Sequence, residues 1–476
     1  MKVAGCFRQR IPLSVVWLCG LLIVPCAVSC NLVAGIAPSF ESAGPASCAT
    51  GIEPAPERAA CAFGAGASPS DTIACPESGP DIPIQHIIVL MQENRSFDHY
   101  LGQLPGHGQD DVDVPPAGTS NPLPPGVTDA LGSTVVPWTH AASYCFDGPN
   151  HSWPGSHQAW DQGTNDGFVI ASAGPNDVEG NDSTGSRAMT YYDDTDLPFY
   201  YQLASTFAIS DRYFSEVLGP TFPNRLYLYA GSSFGMISND VNTDLHRTIF
   251  GVLNDRGISW KVYASDVPAA LLTTSFVADS IGHVASIDDF AEDARQNRLP
   301  AISWIDPVLL TATATLSSEE PPADMQVGQQ FVYRQVSALM ASSSWPTSAM
   351  FITYDETGGL FDHVPPPAAC APDATPPAQH GELGGFDHYG FRVPVFVVSP
   401  YAKAHFVSHT VHSHTSILRF IETRFGLPAL SARDANADAM LDMFDFANPA
   451  FLSPPDLQAP TVDAAQRSAC SAKYGR

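Results

Sequence analysis

Apolar residues fall along this chain in short unbroken runs. Ile87-Ile88-Val89-Leu90-Met91 is the clearest: too short for a buried helix, rich in β-branching, and followed at once by polar Gln92-Glu93-Asn94-Arg95. Ala349 to Tyr354 repeats the pattern and runs into Asp355-Glu356-Thr357-Gly358-Gly359. Ile258 to Ala264, Ala301 to Ile305 and Val393 to Ser399 are strand-like too, whereas Gln326 to Met340 places Val327, Phe331, Val332, Val336 and Leu339 at helical spacing. Runs without polar alternation are typical of parallel strands covered on both faces. The expected fold is therefore α/β, a central, mostly parallel sheet flanked by helices in one domain. No repeat suggests a solenoid.

The chemistry sits where the runs end. In open α/β sheets ligands bind beyond the carboxyl ends of the strands, which is where Glu93, Asn94, Asp355 and Glu356 fall. Four hard oxygen donors are the inventory for a divalent cation of the Ca²⁺, Mg²⁺ or Mn²⁺ kind. Buried carboxylates without a cation would be costly to keep ionised. A third segment, Gly219-Pro220-Thr221-Phe222-Pro223-Asn224-Arg225, reads as a helix start, with Pro223 in the first turn and Leu226 opening an apolar face. Thr221 then lies at a helix N-terminus, a position suited to a phosphate and equally to a simple Thr N-cap.

These segments carry a resemblance. QENRSFDHYLG from Gln92, HSWPGSHQAWDQGTNDGFV from His151, GPTFPNR from Gly219, ITYDETGGLFDHVPPP from Ile352 and the long stretch from Arg392 to Leu430 occur in order. Together they resemble the bacterial phosphoesterase family of phosphatidylcholine-type phospholipases C and acid phosphatases, within the alkaline phosphatase superfamily. The resemblance spans roughly residues 83 to 447. It implies an alkaline-phosphatase-like fold and hydrolysis of phosphoric esters. Thr221 would be both nucleophile and metal ligand, passing through a phosphoenzyme, with Glu93, Asn94, Asp355 and Glu356 holding the rest of the ion. His157 and His363 would serve proton transfer or phosphate binding, with His151 competing with His157. Asn94, Asn224 and Arg225 would contact phosphate, and His99 and His414 would pack.

One position departs from the family, which commonly carries a His before Pro321 where this chain has Glu320. A carboxylate there repels phosphate unless protonated or metal-bound, so a catalytically weak binding relative is an alternative to an active enzyme. Phospholipase C ranks ahead of a phosphomonoester-cleaving acid phosphatase, and the expected partner is a small phosphoester or a phospholipid headgroup.

Charge narrows the partners further. With 22 Lys and Arg against 49 Asp and Glu, a net −27, the chain repels nucleic acid. No protein partner is inferable. Lys2, Arg8 and Arg10 precede an apolar stretch from Ile11 to Val28, so residues 1–29 read as an export signal. Ala27-Val28-Ser29-Cys30 suits ordinary cleavage and also approximates a lipoprotein box, which would tether the protein to a membrane through Cys30. The protein is thus expected in the periplasm, on the outer membrane or outside the cell. Residues 30–80 read as an Ala/Pro/Ser-rich tether, 81–452 as the catalytic domain and 453–476 as a tail. Beyond the signal stand Cys30, Cys48, Cys61, Cys75, Cys145, Cys370 and Cys470, whose pairing spacing does not reveal. No Cys/His cluster has zinc-finger spacing.

Overall fold

The computed structural model describes residues 55–475 apart from 74–78, 130, 174–183, 242–243, 245 and 310–315. The signal segment, Cys30, Cys48 and Cys75 lie outside the described residues. The central sheet is built from β1 (His86–Gln92), β2 (Ala208–Ser210), β3 (Trp260–Ala264), β4 (Val284–Ser286), β5 (Ile302–Asp306), β6 (Ser348–Tyr354), β7 (Val395–Val398) and β8 (Phe406–Ser408). Their order is β8-β2-β7-β6-β1-β5-β3-β4. Only β7 runs against the others. The expected mostly parallel sheet is therefore present, and the five apolar runs became β1, β3, β5, β6 and β7.

The two central strands are buried on both faces, every residue of β6 and all of β1 but His86, which is why neither shows polar alternation. They pair in parallel from His86 opposite Ser348 to Gln92 opposite Tyr354. That register decides the site, because the Glu93-Asn94 and Asp355-Glu356 pairs leave adjacent strands at the same level. Around the sheet lie α1 (Phe97–Leu101), α2 (Trp153–Trp160), α3 (Thr221–Ala230), α4 (Met325–Met340) and α5 (His414–Phe425). Helix α4 starts where Asp324 accepts a hydrogen bond from Gln326 N, and its Phe331, Val332, Val336 and Leu339 are buried.

The folded body takes in more chain than 81–452. Within the expected tether, Gly66 N donates to Ala429 O at 2.7 Å, Arg58 pairs with Asp438 at 3.2 Å, and Cys61 is bonded to Cys370. Within the expected tail, Asp463 N donates to Gln326 Oε1 at 2.7 Å, and helix Ala464–Tyr474 is held by a Cys145–Cys470 disulfide. Both segments are poor in apolar periodicity, so composition makes them look like linkers. Specific backbone bonds and disulfides attach them instead.

The disulfides close loops of 309 and 325 residues, and long closed loops restrict the unfolded chain most. Replacing Cys145 and Cys470 by Ala is expected to lower stability by about 2–5 kcal/mol. Urea unfolding followed by circular dichroism checks this; an unchanged midpoint would mean that the terminal helix contributes nothing to the fold.

Candidate active site

The two strand ends are locked together by their own polar groups. Asp355 N donates to Gln92 O (3.2 Å), while Asp355 Oδ1 accepts from Asn94 N (3.1 Å) and Glu356 N (2.7 Å). Asn94 holds a left-handed backbone (φ 64°) and turns its amide nitrogen to Glu356 Oε1 at 2.7 Å. Gly358 (φ 63°) packs so closely that an added Cβ would lie 2.8 Å from Asn94 Cβ. Asn94, Asp355 and Glu356 thus form one buried unit, as the sequence placed them.

Thr221 arrives from the other side. It is the first residue of α3, and Pro220 is its N-cap; within the first turn Phe222 N already donates to Asn239 Oδ1 (2.9 Å) and Pro223 has no N–H to offer. Asn224 fixes the approach: its Oδ1 accepts from Glu216 N (2.8 Å) and Val217 N (2.9 Å), and its Nδ2 donates to Gly219 O (2.9 Å) and Pro220 O (3.0 Å). Every bonding direction of that amide is used on the turn. Asn224 therefore holds Thr221 in place and does not reach for phosphate. One turn further, Arg225 donates to Asp355 Oδ2 (3.2 Å), Glu93 Oε1 (3.0 Å) and Gln92 O (3.2 Å), tying α3 to both strand ends.

Glu93, Thr221, Arg225 and Glu320 line one cleft of about 230 Å³ whose opposite wall is Val267, Pro268, Leu271, Leu272 and Leu309. Asn239 and Val241 continue into an adjoining chamber of about 590 Å³ that includes His151, Trp153, Phe234, Asp240 and Asp244. Glu320 faces Glu93. Burial first, and then the Glu320 carboxylate, push the Glu93 pKa up against the pull of Arg225. Burial raises Glu356 to about 8, with His151 opposing and Asp355 and Glu320 reinforcing. Four carboxylates thus converge with one guanidinium among them, a set of hard donors whose unbalanced negative charge a divalent cation fits.

Sequence reasoning missed what supports this cluster. Beneath Glu320, the fully buried Glu319 accepts hydrogen bonds from Tyr100 (2.6 Å), Tyr354 (2.8 Å), Gln92 (3.1 Å) and Tyr200, and it takes a left-handed backbone (φ 72°). The sequence signal was available: an acidic pair before two prolines, with tyrosines just past two of the strand motifs.

Two expected histidines fall elsewhere. His157 Nδ1 donates within its own helix to Trp153 O (2.8 Å), its ring lies tilted against that of Trp153, and it borders a separate small cavity with Trp160 and His388. His157 lies on α2, whereas His151 precedes the Ser152 N-cap in the loop leading into the helix, so the two point to different surroundings. His151 takes its place, with Nε2 3.9 Å from Glu356 Oε1. His363 is held by Asp98 (2.8 Å) and Asp113 (3.1 Å) in a network with Arg392, which also pairs with Asp98 (2.7 Å) and Asp362 (2.8 Å). None of these residues lines the Thr221 cleft. His99, bonded to Thr190 O, and His414, bonded to Asp355 O (2.7 Å), are structural.

Residues 84–428 match the Phosphoesterase family. Phospholipase C B of Mycobacterium tuberculosis is 35% identical over 454 residues, covering 85% of this chain and 84% of that protein. Phospholipase C A of the same organism is 32% identical, covering 85% and 83%. Non-hemolytic phospholipase C of Pseudomonas aeruginosa is 31% identical, covering 77% and 58%. A solved alkaline phosphatase superfamily protein from Vibrio parahaemolyticus aligns with 50% of this chain and 62% of its own at TM-score 0.32 and 8% identity. The chain belongs to the Phosphoesterase family, and it is a hydrolase acting on phosphoric ester bonds.

His414 gives the site a pH signature. Burial lowers its pKa from 6.5 to about 4, although its bond to the Asp355 carbonyl opposes the shift. The unfolded chain takes up a proton near pH 6.5 that the folded protein refuses until about pH 4. Stability is therefore lost as pH falls through that window, by about 3 kcal/mol. His414→Gln should flatten denaturant midpoints measured between these pH values; curves parallel to wild type would remove His414 as the cause.

Proposed function

We propose that this protein is a metal-dependent phospholipase C-like phosphodiesterase with Thr221 as its nucleophile. The observation that carries the reading is the cleft in which Thr221, at the N-terminus of α3, stands beside Arg225, Glu93 and Glu320. Thr221 Oγ1 attacks phosphorus in line, the bond to the leaving diacylglycerol oxygen breaks, and the headgroup phosphate is left esterified to Thr221 as a phosphodiester, which water then hydrolyses to release the phosphorylated headgroup and free Thr221. The positive end of the α3 dipole favours the phosphoryl oxygens at Thr221, while Arg225 adds positive charge behind them. A divalent cation held by Glu93, Asn94, Asp355, Glu356 and Thr221 would lower the pKa of the hydroxyl and neutralise phosphate charge. His151, beside Glu356, is the histidine best placed to move the leaving-group proton.

Two features favour a lipid diester over a small monoester. The apolar wall of the cleft suits the glycerol and acyl side of a phospholipid, and the adjoining chamber, with Trp153, Phe234, Asp240 and Asp244, suits a cationic headgroup. The similar proteins are named phospholipases C. Two disulfides fit an oxidising compartment, in keeping with export through residues 1–29 and a tether at Cys30. Glu320 supports a second reading, a weakly catalytic relative, because it stands where the family carries a His.

Thr221→Ala is expected to cost several orders of magnitude in kcat with the fold intact, and Thr221→Ser to retain activity. Acid-quenched turnover of p-nitrophenylphosphorylcholine should show one added phosphorylcholine group on the peptide containing Thr221. A near wild-type Thr221→Ala enzyme would mean that water attacks directly. For substrate class, kcat/KM should favour p-nitrophenylphosphorylcholine over p-nitrophenyl phosphate; the reverse order indicates an acid phosphatase, and no turnover of either indicates the weak relative. Chelation should abolish activity and lower Tm, and full activity in protein shown to be metal-free would refute the cation's role.

A further inference from the structure

Among the described residues, three compact groups of His and Asp lie outside the Thr221 cleft: Asp98, Asp362 and His363; His140, Asp193 and Asp196; His412, Asp438 and Asp442. The first two are closed by ordinary hydrogen bonds. His363 Nδ1 lies 2.8 Å from Asp98 and Arg392 occupies both carboxylates, while His140 Nε2 lies 2.7 Å from Asp196. The third is different. His412 is 1% exposed, yet neither ring nitrogen has a hydrogen bond of ordinary length, and Asp442 Oδ1 is likewise buried without one; against the effect of burial, the Asp438 and Asp442 carboxylates raise the His412 pKa to about 9, so an ion bound there displaces its proton.

The separations suggest why. His412 Nε2 stands 3.3 Å from Asp438 Oδ1 and 3.4 Å from Asp442 Oδ1. A charge-assisted hydrogen bond would close to ~2.7–2.9 Å. A tetrahedral ion with bonds of ~2.0–2.1 Å instead sets its ligand atoms about 3.3–3.4 Å apart. The carboxylates are also oriented from behind: Asp438 Oδ2 pairs with Arg58 at 3.2 Å, Asp442 Oδ2 accepts from Ser408 Oγ, and Asp438 Oδ1 accepts from Met440 N at 2.8 Å. Such outer bonds are what hold metal ligands in place. The Asp side chains are 25% and 33% exposed, leaving the open side to solvent for a fourth ligand.

We propose that His412, Asp438 and Asp442 form a second, structural site for a zinc-class divalent cation, separate from the Thr221 cleft and independent of the catalytic reading. One imidazole and two carboxylates suit Zn²⁺ better than Ca²⁺ or Mg²⁺, which favour all-oxygen shells. His412 precedes α5, Asp438 and Asp442 follow it, and Arg58 comes from the N-terminal segment. An ion there would join all three to the body of the fold.

The test uses the full mature chain and zinc itself. Zinc-edge anomalous scattering from wild-type crystals grown with Zn²⁺ should show a peak between the three ligand atoms. In solution, zinc content by elemental analysis should fall by one ion per chain in Asp442→Asn, and the Kd of that site should rise on the order of 100-fold or more, with far-UV circular dichroism unchanged. If the variant does not fold, the anomalous map decides alone. Absence of the peak at saturating zinc, or equal zinc content in a folded Asp442→Asn protein, would overturn the proposal.

Discussion

Arg225 is the interaction on which the site depends. Its guanidinium, 1% exposed, spans Glu93 and Asp355, so one helix residue ties the Thr221-bearing α3 to the ends of two central strands. Breaking a buried pair costs about 3–5 kcal/mol because the partner charges stay behind unpaired. The penalty makes the arrangement all-or-none. Thr221 and the carboxylates keep fixed relative positions only while Arg225 is seated, and fixed dipoles in a water-poor cleft are what stabilise developing charge.

A second tier of buried polar groups supports that link. Glu216 accepts from Thr415 N (2.6 Å) at the start of α5 and pairs with Arg433 (3.1 Å), anchoring the segment that leads to the Thr221 turn. Asn224 fixes the turn itself, and His414 holds the carbonyl of Asp355 from the opposite face. Under Glu320, the tyrosine-ringed Glu319 sets the direction in which its neighbour points. Each group is buried and hydrogen-bonded, and removing one partner would expose the other to the full desolvation penalty. The chain thus places polar groups in the core to define a geometry.

Glu320 adds a further carboxylate to the cleft that Arg225 must balance. Its carboxylate meets Glu93 across the cleft, and burial together with that repulsion raises the Glu93 pKa while the charge of Arg225 opposes it. A cation between them would turn repulsion into coordination.

Local sequence determined the central strands, the helix at Thr221 and the pairing of Glu93-Asn94 with Asp355-Glu356, because unbroken apolar runs ending in oxygen donors have few other structural meanings. It also exposed Glu320 as a departure. It could not decide which of His151 and His157 faces the acidic cluster, since that choice rests on where the helix begins, after His151 and before His157, and on the seat of Trp153. Nor could it show that His363 belongs to an Arg392 network, or that Asn224 spends its amide on the turn, because those partners lie far apart in the chain or are backbone atoms. The attachment of residues 55–73 and 463–474 was hidden for the same reason: disulfides spanning more than 300 residues leave no local pattern. Periodicity reports which face is apolar; only tertiary structure decides which polar groups meet, because each meeting depends on long-range register and desolvation.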